Sequence, residues 1–200
     1  MVTRVSATNS NPFSTRYTRP GAIAYLWPVG ESPQRLLEWL EAAGWRGEIV
    51  GPHGSGKTSL LSALTPALEA AGRRVASFTL HDGQRRMPRS WHNLPPSQQP
   101  TLILVDGYEQ LSGWSRWLLN FRCRRRGWGL LVTTHVSVGL PTIFRTASDV
   151  ATAQQLVHQL LRNQPNSITA TDVEHLFTTT GGNVRELLFA LYDLYEQRRR

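Results

Sequence analysis

Residues 51–58 read Gly51-Pro52-His53-Gly54-Ser55-Gly56-Lys57-Thr58, which fits the pattern G-x-x-x-x-G-K-[ST]. Lys57 is the only lysine in the chain, and the remaining basic residues, out of 22, are all arginine. Arginine presents a wide planar fork, whereas lysine presents a compact point charge on a flexible stem. A loop that wraps a row of phosphates needs the compact form, because the cation must reach between neighbouring phosphoryl groups inside a tight backbone cradle. Gly51, Gly54 and Gly56 permit backbone conformations closed to other residues. Successive N–H groups then point inward as an anion nest, and the N-terminus of a following helix adds partial positive charge. The flanks agree with this reading. Glu48-Ile49-Val50 reads as the end of a strand, and Ser59 to Leu64 has helical spacing with Leu60, Leu61 and Leu64 on the buried side. Gly51, Pro52, His53, Gly54, Ser55, Gly56, Lys57, Thr58 and Ser59 are therefore the expected cradle of a nucleoside triphosphate. Thr58 is expected to place its hydroxyl on Mg²⁺.

Outward from this loop the chain alternates strands and helices. Arg35 to Ala43 reads as an amphipathic helix with Leu36, Leu37, Trp39 and Leu40 as its apolar set. The helix after the loop runs to about Ala71, with Gly72 as its stop. Arg74 to Leu80 reads as a second strand, Thr101 to Val105 as a third buried on both faces, and Gly129 to Thr133 as a fourth. A short fifth strand is expected at Thr142 to Arg145. Residues 81–100 read as a long loop. A helix is expected around Trp114 to Arg125, and three more at Asp149 to Arg162, Thr171 to Phe177 and Val184 to Arg198. Residues 1–20 are polar and are expected to run irregularly over the surface. Strands alternating with helices predict an α/β fold, a parallel sheet flanked by helices, with a small C-terminal helical lid. The corresponding divisions are an N-terminal extension and helix over 1–44, a nucleotide-binding core over 45–148 and the lid over 149–200.

Composition narrows the partners. A formal net charge of +8 and a 40% apolar content suit a folded domain and admit an acidic partner, nucleic acid included. Much of the excess charge is local, in Arg122, Arg124, Arg125 and Arg126 and then in Arg198, Arg199 and Arg200. The single cysteine, Cys123, has no partner for an internal disulfide, which fits a reducing cytoplasm. The six histidines show no metal-ligand spacing. No apolar run approaches the length of a membrane span, and the N-terminus has no signal-peptide core, so a cytoplasmic protein with no membrane role is expected.

Leu102-Ile103-Leu104-Val105-Asp106 places a carboxylate at the carboxyl end of a buried strand. Open α/β sheets bind ligands at that end, and an acid there holds the water shell of Mg²⁺ beside phosphates. Glu109, three residues on, is the candidate that orients and polarises an attacking water, with Asp82 as a weaker rival. Thr134 and His135 close the next strand and are candidates to bond a terminal phosphate or that water. Asn183 and Glu186 frame a helix start in Gly181-Gly182-Asn183-Val184-Arg185-Glu186-Leu187, where Arg185 is a candidate to answer the γ-phosphate.

Together these motifs resemble an additional-strand, catalytic-glutamate P-loop ATPase of the AAA+ and STAND (NACHT-like) branch. The 51–58 stretch resembles Walker A. The stretch from Leu102 to Leu111 resembles the Walker B of NACHT-type proteins, which implies that Asp106 is the Mg²⁺ acid and that Glu109 matches the first downstream acid. Gln110 stands where that pattern has a second acid. The stretch from Leu130 to His135 is similar to the sensor-1 strand, with His135 in place of the arginine common in STAND proteins. Residues 181–187 resemble the sensor-2 motif, and most of all the G-N-V-R-E-L of bacterial enhancer-binding activators, which implies that Arg185 contacts nucleotide.

The first functional expectation is an ATP-binding, Mg²⁺-dependent ATPase acting as a nucleotide switch on an unidentified protein partner. Lys57, Glu109, Thr134, His135 and Arg185 would be its catalytic set, and an arginine of a neighbouring subunit, with Arg122 and Arg124 to Arg126 as candidates, would complete the site in an oligomer. The alternative is a nucleotide-dependent nucleic-acid-binding module with little hydrolysis, holding its strand on the 81–100 loop through Arg85, Arg86, Arg89 and Trp91. A small-molecule kinase fits less well, since Asp106-Gly107-Tyr108-Glu109 supplies a base for water rather than for a bound acceptor.

Overall fold

The computed structural model describes residues 11–19, 22–92, 101–162 and 168–199. Among them a five-stranded sheet runs in the order β2-β3-β4-β1-β5, with β1 at Arg46–Val50, β2 at Val75–Thr79, β3 at Leu102–Asp106, β4 at Gly129–Thr134 and β5 at Thr142–Arg145. Every neighbouring pair is parallel. The order sets β4 between β1 and β3.

The apolar strands are buried on both faces, as a parallel sheet between helices requires. Leu102 and Leu104 of β3 point to one face, where they meet Leu36 and Leu40 of α2 (Pro33–Ala42) and Leu60, Leu64 and Leu68 of α3 (Lys57–Ala70). Ile103 and Val105 point to the other face and pack with Leu119 and Cys123 of α4 (Gly113–Arg126). Each helix start has its own device. Ser32 caps α2 by accepting from Arg35 N, and Ser112 caps α4 by accepting from Ser115 N. Trp39 departs from its expected place in the α2 core. It is 40% exposed and carries the Arg35 guanidinium 5.1 Å from its ring centre.

The chain divides into two compact units, one spanning Ala24–Ala147 and one built from the stretches before and after it. The helix α2, grouped in the sequence reading with the extension over 1–44, lies inside the first unit. The second unit contains α1 (Thr15–Thr18), α5 (Val150–Leu161), α6 (Ala170–Thr179) and α7 (Val184–Arg199). For residues 11–19 the structure corrects the expectation of an irregular surface segment, while residues 1–10 and 20 lie outside the described residues. Phe13 is 2% exposed and meets Tyr195 edge-on with ring centres 6.0 Å apart. The Asn11 side-chain amide donates to Tyr192 O at 3.0 Å and to Glu196 Oε1 at 2.9 Å. The segment is polar in composition, yet Asn11 and Phe13 are both buried, the one by hydrogen bonds and the other by ring packing on α7. No helix among the described residues is long and apolar enough to cross a membrane.

Candidate functional site

The 51–58 loop leaves the carboxyl end of β1 and enters α3 at Lys57. Gly54 and Gly56 have φ of +71° and +87°, a region that side-chain-bearing residues rarely adopt. Gly51 is required for space instead. A Cβ there would lie 2.0 Å from Thr146 Oγ1 and 2.5 Å from Thr146 O. The residue responsible, Thr146, follows β5, and its hydroxyl shares a hydrogen bond of 2.6 Å with Ser55 Oγ. Tyr25 lies against the loop as well, its ring carbon 3.5 Å from where a Cβ on Gly56 would stand. Burial pushes the Tyr25 hydroxyl up to about 12, so it is a neutral donor at every physiological pH.

Lys57 is buried, and its ammonium donates to Gly51 O at 2.6 Å and Pro52 O at 2.7 Å, with His135 Nδ1 at 3.2 Å. His135 Nε2 lies 2.7 Å from Glu109 Oε1. The tautomer with hydrogen on Nε2 satisfies both contacts, accepting from Lys57 at Nδ1 and donating to Glu109 at Nε2. The His53 ring lies against that of His135, with centres 3.6 Å apart. Lys57, His135 and Glu109 thus form one polar chain under the loop.

At the carboxyl end of β3, Thr58 Oγ1 donates to Asp106 Oδ2 at 2.7 Å. The other carboxylate oxygen accepts from Thr133 Oγ1 at 2.5 Å, and the same hydroxyl accepts from Gly107 N at 2.9 Å. Two buried polar atoms at this end of the sheet have no hydrogen-bond partner, Thr134 Oγ1 and Glu109 Oε2. A carboxylate and a hydroxyl are the hard oxygen donors that suit Mg²⁺, so Thr58 and Asp106 fit that ion. Among the described residues no group of three or more His, Cys, Asp or Glu could hold a metal.

Of the residues singled out from the sequence, Gly51 to Thr58, Asp106, Glu109, Thr134 and His135 gather at this end of the sheet, and Ser59 sits in the first turn of α3. Arg185 belongs to the other unit, where it is exposed at the start of α7 and its backbone N–H donates to Asn183 Oδ1 at 3.0 Å. Asp82 accepts from Gln110 Nε2 at 3.0 Å. The nucleic-acid contact expected of Trp91 is corrected, because that ring is 2% exposed and lies under the Arg122 guanidinium. The rest of that loop, residues 93–100, lies outside the described residues. Sequence reasoning missed Thr133, Thr146 and Tyr25. None of the three carried a sequence signal, and Thr133 is identified only by the strand register. The β3–β4 register sets Val105 opposite Val132, so the next pair is Asp106 and Thr133.

The parallel sheet flanked by helices, with a glycine loop after β1 and an acid closing β3, is an α/β fold that matches the AAA+ domain fold of solved DnaA structures. Solved structures with this fold include domain III of the replication initiation protein DnaA from Thermotoga maritima, at a TM-score of 0.59 and 14% identity over 88% of this chain and 87% of that one. AMPPCP-bound DnaA from Aquifex aeolicus matches at a TM-score of 0.54 and 16% identity, covering 86% of this chain and 64% of that one. A replication initiator DnaA bound to AMPPCP and single-stranded DNA matches at a TM-score of 0.52 and 19% identity, over 82% of this chain and 61% of that one. The chain therefore spans less than two thirds of the length of the last two, and at these identities the likeness is one of fold. No protein-family model and no curated protein sequence matches the chain.

Proposed function

We propose that the chain binds ATP with Mg²⁺ in the 51–58 loop, hydrolyses it, and passes the change of state to a partner protein. What carries the reading is the 2.7 Å contact between Thr58 Oγ1 and Asp106 Oδ2, which brings the loop and the strand-end acid to one point. Two DnaA structures of the same fold contain the nucleotide analogue AMPPCP. Thr58 and Asp106 would hold the Mg²⁺ ion, which when bound neutralises phosphate charge.

The Lys57 ammonium has three donors and exchanges the Gly51 and Pro52 carbonyls for oxygens of the β- and γ-phosphates, a stronger charge-assisted pairing. Glu109 accepts a hydrogen bond from the attacking water and aligns it with the γ-phosphorus. The water oxygen forms the new P–O bond and the bond to the β,γ-bridging oxygen breaks. The water's proton passes by way of Glu109 to the phosphate released. His135 is the positioning residue for Glu109, and the unpartnered Thr134 hydroxyl is the donor that reads the γ-phosphate.

The test is phosphate release from ATP with no added acceptor, with nucleotide binding measured in parallel. Lys57→Ala is expected to lose binding, and Glu109→Gln to keep binding and lose turnover. Normal turnover by Glu109→Gln overturns the assignment of the water-aligning acid. Release that requires an added acceptor overturns the hydrolase reading.

A further inference from the structure

Away from the loop, the outer face of α4 carries three large aromatic side chains that the core does not use. Trp114, Trp117 and Phe121 are 69%, 53% and 50% exposed. Spacings of three and four residues put them on one face of the helix. The rings are stacked on one another, Trp114 on Trp117 with centres 4.8 Å apart and Trp117 on Phe121 at 5.5 Å with planes only 9° apart. Burying such area elsewhere would stabilise the chain, so its display marks a contact surface.

The stripe runs toward a basic pocket. One helical turn beyond Phe121, Arg124 lines a cavity of about 250 Å³ together with Arg46, Arg73 and Trp45. Arg46 Nη1 is buried and has no partner, while its other terminal nitrogen donates to Asn120 Oδ1. The Arg73 guanidinium lies 3.5 Å from the centre of the Trp45 ring. Trp45 itself is held at φ +61°, a costly conformation for a bulky residue. Among the described residues no acid lines the pocket, and the helix Gly113–Arg126 has five arginines and no Asp or Glu.

Charge selects the occupant. A second copy of this helix would set arginine against arginine, so the stripe does not suit self-association. An anionic partner with flat rings satisfies both halves of the surface. We propose that α4 docks single-stranded nucleic acid, with bases stacking on the Trp114, Trp117 and Phe121 column and a backbone phosphate entering the pocket of Arg46, Arg73 and Arg124. From Trp114 to Arg124 the helix advances ~15 Å at 1.5 Å per residue, room for a few nucleotides. The pocket lies at the start of β1 and β4, the opposite end of the sheet from the phosphate-binding loop, and the proposal does not depend on the nucleotide reading.

The experiment is fluorescence anisotropy of a labelled oligothymidylate of about ten nucleotides, titrated with the full chain across a salt series and with no nucleotide added. The strand is expected to bind and to quench tryptophan emission. Trp117→Ala with Phe121→Ala should weaken binding about fivefold to a hundredfold with the salt slope unchanged, since both positions are exposed and uncharged. Arg124→Ala should lower the slope of log K against log salt by about 0.7. The proposal is overturned if the aromatic variant binds as well as the native chain, or if a duplex of the same length binds equally tightly. Displacement by polyglutamate of equal charge would point to an acidic protein partner and overturn it. So would sedimentation showing a dimer that the aromatic variant dissolves.

Discussion

Thr133 and Thr134 stand side by side at the end of β4, and both are fully buried. Valine replaces threonine at nearly constant shape, so Thr→Val at each position isolates the hydroxyl. At Thr133 the change removes a donor to the Asp106 carboxylate and the acceptor of Gly107 N–H. A hydrogen bond to a charged group contributes about 1.5–3 kcal/mol, and a buried N–H left unpaired costs about 1–3 kcal/mol. These effects overlap, so a loss of about 2–5 kcal/mol is expected. For a chain of this size that lowers the melting temperature by about 5–15 °C. At Thr134 the hydroxyl has no partner. Removing it relieves a buried unsatisfied group, which is neutral or stabilises by about 1–2 kcal/mol. Two neighbouring, equally buried, identical substitutions therefore differ in sign. Calorimetry and urea unfolding of both variants measure the difference, and Thr133→Ser, which keeps the hydroxyl, controls for the methyl group. A Thr133→Val chain within about 0.5 kcal/mol of native, or a Thr134→Val chain equally damaged, refutes the reasoning. Under the proposed function Thr134→Val also loses turnover without losing stability, a pair of effects that a packing defect does not produce.

Two further outcomes follow from the geometry. Gly51→Ala places a methyl group 2.0 Å from Thr146 Oγ1 and 2.5 Å from the Thr146 carbonyl oxygen, and the latter is backbone that cannot rotate away. Isothermal calorimetry should show nucleotide binding abolished, with stability lower by about 1–3 kcal/mol, and native-like binding would contradict the packing described. In the second unit, Asp172 accepts from both terminal nitrogens of Arg198 at 2.6 and 2.8 Å and completes a capping box with Thr169. Arg198 foremost holds the Asp172 carboxyl well below the ordinary carboxylate range. A depressed folded value means that the contribution is complete above the unfolded value of about 3.9 and is lost as the pH falls below it. Arg198→Ala should flatten the fall of stability in that acid window, and an NMR titration in which Asp172 keeps an ordinary carboxylate midpoint would count against it.

The phosphate-loop fold was legible because its signals are local. A glycine loop between a strand and a helix, and an acid closing an apolar run, are read without knowing what lies next to what. The order of the strands was not, because alternating strands and helices leave open which strands are neighbours, and β4 separates β1 from β3 only in three dimensions. The role of Thr133 was hidden for the same reason, since adjacent threonines are equivalent until register decides which one faces Asp106. Trp91 misled because arginines beside an aromatic look the same whether the ring is open or covered, and here Arg122 covers it. The segment around Phe13 was too short to show a period. Its place was decided by a contact with Tyr195, 182 positions along the chain.

That long-range contact bears on biosynthesis. Synthesis completes the Ala24–Ala147 sheet while α7 has yet to leave the ribosome, so the sheet is free to form co-translationally. Asn11 and Phe13 must wait for Tyr192, Tyr195 and Glu196. The helical unit therefore closes last, and truncations that remove the end of α7 should strand an early segment that has already been made.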